Sequence, residues 1–326
     1  MTNACVRARA IGVAHALKRA NARRCVATRA RARAIDVWLY DPSASSRMTT
    51  PTTGAQLDIA RVTTEDERHS MERTPERLLA RAFARRVLAS YGATNREDAA
   101  RAMTFVTNAR GKPRVGNVHE GGVERGFSVA HCDGVVAVAV RARQGSEDER
   151  EIGCDVERAE RRIESDIAKF SARWFSGNER EMLESIDDVN AKALTFMKLW
   201  TLKEAYVKAL GLGIAGRPFR EFDVTWRDAP DGARFAIDGV DASRATGEKI
   251  WMLDLRDDGA PTPASAWSLA LLKPDRERDH VVALCVPAIE PGERAHIRVR
   301  WASPFDDVVD ETTRPVLLGA SSHFLA

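Results

Sequence analysis

Cysteine is scarce in this chain, with five in 326 residues (Cys5, Cys25, Cys132, Cys154 and Cys285), and no two of them form a CxxC pair. An odd and scattered set favours neither a disulfide framework nor a zinc site, and a reducing, cytoplasmic compartment is the simpler expectation. Long apolar runs are missing as well. None reaches the roughly 18 residues that a transmembrane helix needs, so no membrane partner is expected. Acidic residues are absent from the first 35 positions, the earliest being Asp36. Nine Lys and Arg fall within residues 1–34, while the remaining 41 basic residues face 47 acidic ones. The formal net charge of +3 therefore comes from the leader, and the body is mildly acidic. An acid-free Arg/Ala leader has the composition of a transit peptide or a nucleic-acid-binding arm. A basic, disordered extension is the plainer expectation, and no nucleic-acid partner is inferred from it.

The rest is ordinary for a globular protein: 44% hydrophobic and 30% charged residues, in a chain long enough for one extended core or two smaller ones. Organised sequence starts at "DVWLY" (Asp36 to Tyr40), which reads as a strand, and residues 41–65, rich in Ser, Thr and Pro, read as a loop. Over Thr74 to Tyr91, Leu78, Leu79, Phe83, Val87 and Leu88 recur at helical spacing behind Pro75, which suits a first helical turn. Val135 to Val140 reads as a buried strand after a turn at Asp133-Gly134. Ser176 and Glu179 have capping-box spacing, and residues 191–210 form the strongest helical pattern, with Gly211 placed as its cap. Five further short strands follow: "FREFDVTW", "ARFAIDGV", "KIWMLDL", "AWSLALL" and "HVVALCV". This order suits an α+β fold of two similar halves joined near residues 145–151. The expected division is a basic extension over 1–34, an N-terminal half over 35–148, a C-terminal half over 149–300 and a tail over 301–326.

Two stretches carry chemistry. In "EIGCDVE" the period of a strand sends Asp155 and Glu157 to one face, roughly 7 Å apart, and Cys154 and Val156 to the other. Such a carboxylate pair repels unless a cation lies between them; two solvated acids on an edge strand are the ordinary alternative. In "LWTLKEAYVKALGLG", Glu204 and Lys208 lie four residues apart on one helix face. A surface ion pair there would contribute only about 0.3 to 0.5 kcal/mol. Yet the helix is apolar on most sides, and its charges cluster just before Gly211 and Gly213.

Taken together, "GCDVE" and "WTLKEAYVKALGLG" resemble the paired motifs of the 4′-phosphopantetheinyl transferases, (V/I)GxDxE and W(T/S)xKEAxxKxxGxG. "RGKPRV" resembles that family's GKP element and "FSVAHCDGVVAVAV" its FNxSHs element, in the same order. At the latter, Ser128, Ala130 and Cys132 replace the usual Asn, Ser and Ser, while His131 is retained. The resemblance spans residues 36 to about 290 and implies the two-halved (surfactin-synthetase-activating) type, α/β halves related by pseudo-twofold symmetry with the active site in the cleft between them. It implies an Mg²⁺-dependent enzyme that moves 4′-phosphopantetheine from coenzyme A to a serine of an acyl, peptidyl or aryl carrier protein, releasing 3′,5′-ADP, and working as a monomer. It further implies that Asp155, Glu157 and Glu204 hold Mg²⁺, that Glu204 and Lys208 are catalytic, and that Arg110, Lys112, His131, Lys203 and Lys208 bind the coenzyme's phosphates. Arg85 and Arg86 are looser candidates for the same phosphate. Another Mg²⁺-dependent phosphotransferase or phosphodiesterase, or a carrier-binding module impaired by the change at Ala130, are the alternatives.

Overall fold

The computed structural model of the chain describes residues 34–41, 59–92, 95–116, 125–132, 135–142, 152–159, 167–242, 249–275, 279–290, 292–302 and 309–326. The basic leader up to residue 33, the Asp133-Gly134 turn and the charged run 144–151 lie outside the described residues. The first strand, β1 (Ala34–Tyr40), buries both faces: Ile35, Val37 and Leu39 join one core, and Trp38 and Tyr40 another. Helix α1 (Glu65–Ser70) starts in a capping box, in which the Thr64 hydroxyl accepts from the Glu67 amide and the Glu67 carboxylate from the Thr64 amide. α2 (Pro75–Ala89) fills the expected helical span, with Pro75 in its first turn, and α3 (Arg96–Ala102) is capped by Asn95.

"FVTNARGKPRV" folds as a small hairpin of β2 (Phe105–Thr107) and β3 (Pro113–Val115). The next strands are β4 (Arg125–Cys132), β5 (Val135–Ala142) and β6 (Gly153–Arg158). Helices follow in series: α4 (Ile167–Trp174), α5 (Gly177–Glu184), the long α6 (Val189–Leu210) and the single turn α7 (Gly213–Gly216). Asp188 caps the start of α6 through its carboxylate, and Gly211 ends it in the left-handed region at φ 69°. The strands that come after are β7 (Asp223–Asp228), β8 (Ile237–Asp238), β9 (Trp251–Arg256), β10 (Trp267–Lys273), β11 (His280–Pro287), β12 (Ala295–Ala302), β13 (Val309–Thr313) and β14 (Val316–Ser321).

These strands form two large sheets. The first has the order β13-β12-β1-β5-β4, with β8 added parallel to β12; the second has the order β6-β11-β10-β14-β9-β7. Their inner faces share one core, in which Val37, Ala139 and Ile297 of the first sheet meet Val156, Leu284 and Leu317 of the second. Each outer face is covered by a helix. Phe83 and Val87 of α2 pack on Trp38, Phe127 and Val138, and Leu199, Leu202 and Tyr206 of α6 pack on Leu269, Leu271 and Ala283. The layers run helix, sheet, sheet, helix, an α+β arrangement as expected. Leu199 and Leu202 are wholly excluded from water, which stabilises the fold by about 1.5–3 kcal/mol for each such side chain.

One expectation needs correcting. Residues 301–326, read as a tail, contain β13 and β14, and β14 lies inside the second sheet between β10 and β9. "PVLLGAS" is a continuous apolar run because it is buried on both faces, and such a run lacks the alternation by which strands are recognised. Among the described residues no helix is long and apolar enough to cross a membrane.

Candidate active site

The site is built where α6 lies against β6. Cys154 and Val156 point into the core between the sheets, so Gly153, Asp155 and Glu157 face the helix. A Cβ on Gly153 would overlap the carbonyl oxygen of Ala205 and press on the amide nitrogen of Ala209. Only glycine permits so close an approach of strand to helix, and that approach brings Glu204 and Lys208 of α6 up to Asp155.

The Lys208 ammonium donates to Asp155 Oδ1 at 2.7 Å. Asp155 is buried, and its Oδ2 has no hydrogen-bond partner. Burial pushes the Asp155 carboxyl upward, and the ammonium pulls it back. For Lys208 burial acts downward, but the Asp155 and Glu204 carboxylates prevail and raise it to about 12, so it stays charged. Burial raises Glu204 to about 7, opposed by Lys208 and reinforced by the charge of Asp155. One cation thus stands against two carboxylates, with a third, Glu157, half-buried on the same face of β6.

The first sheet and its hairpin approach from the other side. His131, near the end of β4, keeps part of its side chain in water; partial desolvation of its ring by the surrounding protein, together with the Lys208 charge, lowers its pKa, and it also senses Asp155 and the Glu76 and Arg77 side chains of α2. Lys112 follows the β2–β3 turn, and its ammonium donates to the carbonyls of Ile152 at 2.9 Å and Lys208 at 2.5 Å. Arg110 lies over the start of the next loop, since a Cβ on Gly216 would come 3.3 Å from its Nη1.

Two residues, Lys203 and Arg85, are placed differently from the expectation. Lys203 is fully buried on a different side of α6, ion-paired with Glu179 and donating to the carbonyl of Phe222 at 2.7 Å. It faces no open site, because a residue directly before Glu204 is turned about 100° from it around the helix. Arg85 is also structural, donating to Glu67 at 2.9 Å and to the carbonyls of Ala100 and Met103 at 2.6 and 2.7 Å. Ser128 is buried and accepts from the Cys154 amide at 3.0 Å, which ties β4 to β6. Its neighbour Ala130 is buried in the core between the sheets. Two residues escaped the sequence reading. Asn108 bridges the hairpin to Gly211, and Glu179, foreseen only as a capping partner, also holds Lys203. The Asn-x-x-Gly turn pattern was the available sign of the former.

Among the described residues no group of three His, Cys, Asp or Glu is close enough to hold a metal ion. The donor set nevertheless suits a hard cation: carboxylate oxygens only, one of them buried without a partner, and two carboxylates that raise each other's cost of ionisation.

Comparison with known proteins falls on this same region. Residues 151–285 match the sequence model of the 4′-phosphopantetheinyl transferase superfamily. The chain is 37% identical over 112 residues to the 4′-phosphopantetheinyl transferase HetI of Nostoc sp., a match covering 34% of this chain and 43% of that protein. It is 33% identical over 111 residues to the 4′-phosphopantetheinyl transferase gsp of Aneurinibacillus migulanus, covering 34% and 39%. With the holo-[acyl-carrier-protein] synthase of Anaplasma phagocytophilum the identity is 45% over 78 residues, 22% of this chain and 62% of that one. The chain therefore spans about four-tenths of the length of the first two relatives. The crystal structure of the Thermotoga maritima holo-[acyl-carrier-protein] synthase aligns at a TM-score of 0.25 and 19% identity, over 44% of this chain and 62% of that one. The segment that matches the 4′-phosphopantetheinyl transferase superfamily, residues 151–285, contains Asp155, Glu157, Glu204 and Lys208.

Proposed function

We propose that the chain transfers the 4′-phosphopantetheine group of coenzyme A to a serine hydroxyl of an apo acyl, peptidyl or aryl carrier protein, with release of 3′,5′-ADP. The observation that carries this reading is the convergence of Asp155, Glu204 and Lys208 inside the segment that matches the superfamily. Two sheets, each with its own outer helix, support the two-halved architecture, in which a monomer supplies both walls of the cleft.

Asp155, Glu157 and Glu204 would hold Mg²⁺, which when bound supplies Lewis-acid polarisation of the pyrophosphate oxygens. Glu204, with its carboxyl at about 7, is a base matched to neutral pH. It takes the serine proton as the serine oxygen bonds to the β-phosphorus, and the bond from that phosphorus to the 3′,5′-ADP oxygen breaks. The Lys208 ammonium, charged and half-buried, stabilises the negative charge that grows on the departing group. His131 and Arg110 would meet the 3′-phosphate and adenosine end. Lys112 contributes its charge from a fixed place, its ammonium being held by two backbone carbonyls.

The test is incubation of the full chain with coenzyme A, Mg²⁺ and a panel of apo carriers, followed by intact mass and by assay of 3′,5′-ADP. The expected result is one phosphopantetheine per carrier serine, with equimolar 3′,5′-ADP. A carrier whose mass never changes across the panel, or 3′,5′-ADP formed equally without carrier, would overturn the reading.

A further inference from the structure

Side-chain hydrogen bonds from Asn108 and Lys112 join the turn between β2 and β3 to the end of α6. The Asn108 Oδ1 accepts from the backbone amides of Arg110 and Lys112, both at 2.9 Å, while its Nδ2 donates to the carbonyl of Gly211 at 2.8 Å. The backbone closes the same loop, with the Asn108 amide donating to Lys112 at 3.0 Å and the Gly111 amide to Asn108 at 3.0 Å. One side chain thus folds the turn and also anchors it. Two further groups come from the same turn: the Lys112 ammonium reaches the carbonyl of Lys208 in α6, and the Arg110 guanidinium lies over Gly216, the last residue of α7. The fit is close from the helix side too. Gly211 lies at φ 69°, and a Cβ there would come 2.9 Å from Asn108 Nδ2 and 3.3 Å from Lys112 Cδ.

A line of contacts follows. Asn108 sets the Lys112 backbone, Lys112 holds the main chain of Lys208, and the Lys208 ammonium meets Asp155. We infer that Asn108 is a positioning residue, which docks the β2–β3 turn on the C-terminal end of α6 and so fixes Arg110 and Lys208 for the coenzyme. This rests on the transfer reaction proposed above, but the docking itself is read without any activity.

Asn108→Asp keeps an oxygen for the two loop amides, removes the donor to Gly211 and sets a charged oxygen against that carbonyl. Asn108→Ser, which is too short to reach Gly211, serves as a second variant should the first not fold. The full-length proteins are compared by hydrogen exchange over residues 207–213 and by transfer kinetics. Loss of one hydrogen bond corresponds to about five- to tenfold, and both the exchange rate of that segment and the KM for coenzyme A should rise by that amount, with the carrier KM unchanged. A merely structural defect removes active molecules and lowers kcat alone. Unchanged exchange in a folded variant overturns the inference. So does faster exchange with an unaltered coenzyme KM. If the wild type neither binds coenzyme A nor transfers, the proposed function has failed, and the exchange measurement alone decides the docking.

Discussion

Glu204 has more of the proposed chemistry resting on it than any other side chain. Its carboxyl is raised to about 7, chiefly by burial. As a base it works only when ionised, so kcat/KM should climb with pH up to about 7 and then level. Glu204→Gln keeps size and removes the charge, and turnover should fall about 10²- to 10⁴-fold, with excess Mg²⁺ failing to restore it. Recovery to near wild-type turnover at saturating Mg²⁺ would leave Glu204 as a ligand and require another base.

The same shift affects folding. A carboxyl that holds its proton more tightly when folded contributes stability fully present below its unfolded value of about 4.5, lost as the pH rises through about 7. In metal-free buffer the urea midpoint of the wild type should therefore fall, relative to that of Glu204→Gln, between those limits. A constant difference between the two proteins across this range would mean that Glu204 titrates normally.

Helix α6 contains opposite solutions to the placing of charge, and the contrast explains what could be read beforehand. Its Gly211 cap, the shared face of Glu204 and Lys208 and the alternation of Asp155 with Cys154 all follow from local spacing, and the structure agrees with each, while the helix starts two residues before the expected 191. The fate of Lys203 does not follow from spacing. Its partner Glu179 is 24 residues away on α5, and the Glu179 carboxylate also accepts from the amides of Ser176 and Val224, at 3.0 and 2.7 Å. Nothing in a single helix period announces a bond of that kind. The consequence can be measured. Glu179→Ala would leave the Lys203 ammonium buried and unpaired, which should cost about 3–5 kcal/mol, and replacing both by Glu179→Leu and Lys203→Met should recover much of it. Urea unfolding of the three proteins decides the matter; a single variant within about 1 kcal/mol of wild type would mean that water reaches Lys203.

The chain as a unit was read correctly in its middle and poorly at its end. Strands β9, β10 and β11 stood out between turn residues, but β12 to β14 did not, because their pairing partners are remote: Ala34 to Leu39 lie parallel to His296 to Trp301, and Arg298 bonds Asp36 at 2.8 Å across 262 residues. A chain stopped after Arg314 loses β14, whose neighbours are β10 and β9 on either side. It is expected to show no cooperative unfolding transition and to accumulate as aggregate, since two strand edges and a hydrophobic slot are left open. Calorimetry of the soluble fraction tests this, and a sharp transition near the wild-type temperature would show β14 to be an accessory strand.

The woven C-terminus also governs how the protein must be made. During synthesis the ribosome delivers β1, β4 and β5 early, yet β1 lacks its second neighbour until residues 295–302 emerge, and the second sheet lacks its inner strand until residue 321 has cleared the exit tunnel. Neither sheet can close before those late strands are available. The long-range pairings are therefore formed late and slowly. Until then, apolar strands such as Val135 to Val140 and Leu269 to Leu272 are clients for whatever chaperone attends the nascent chain.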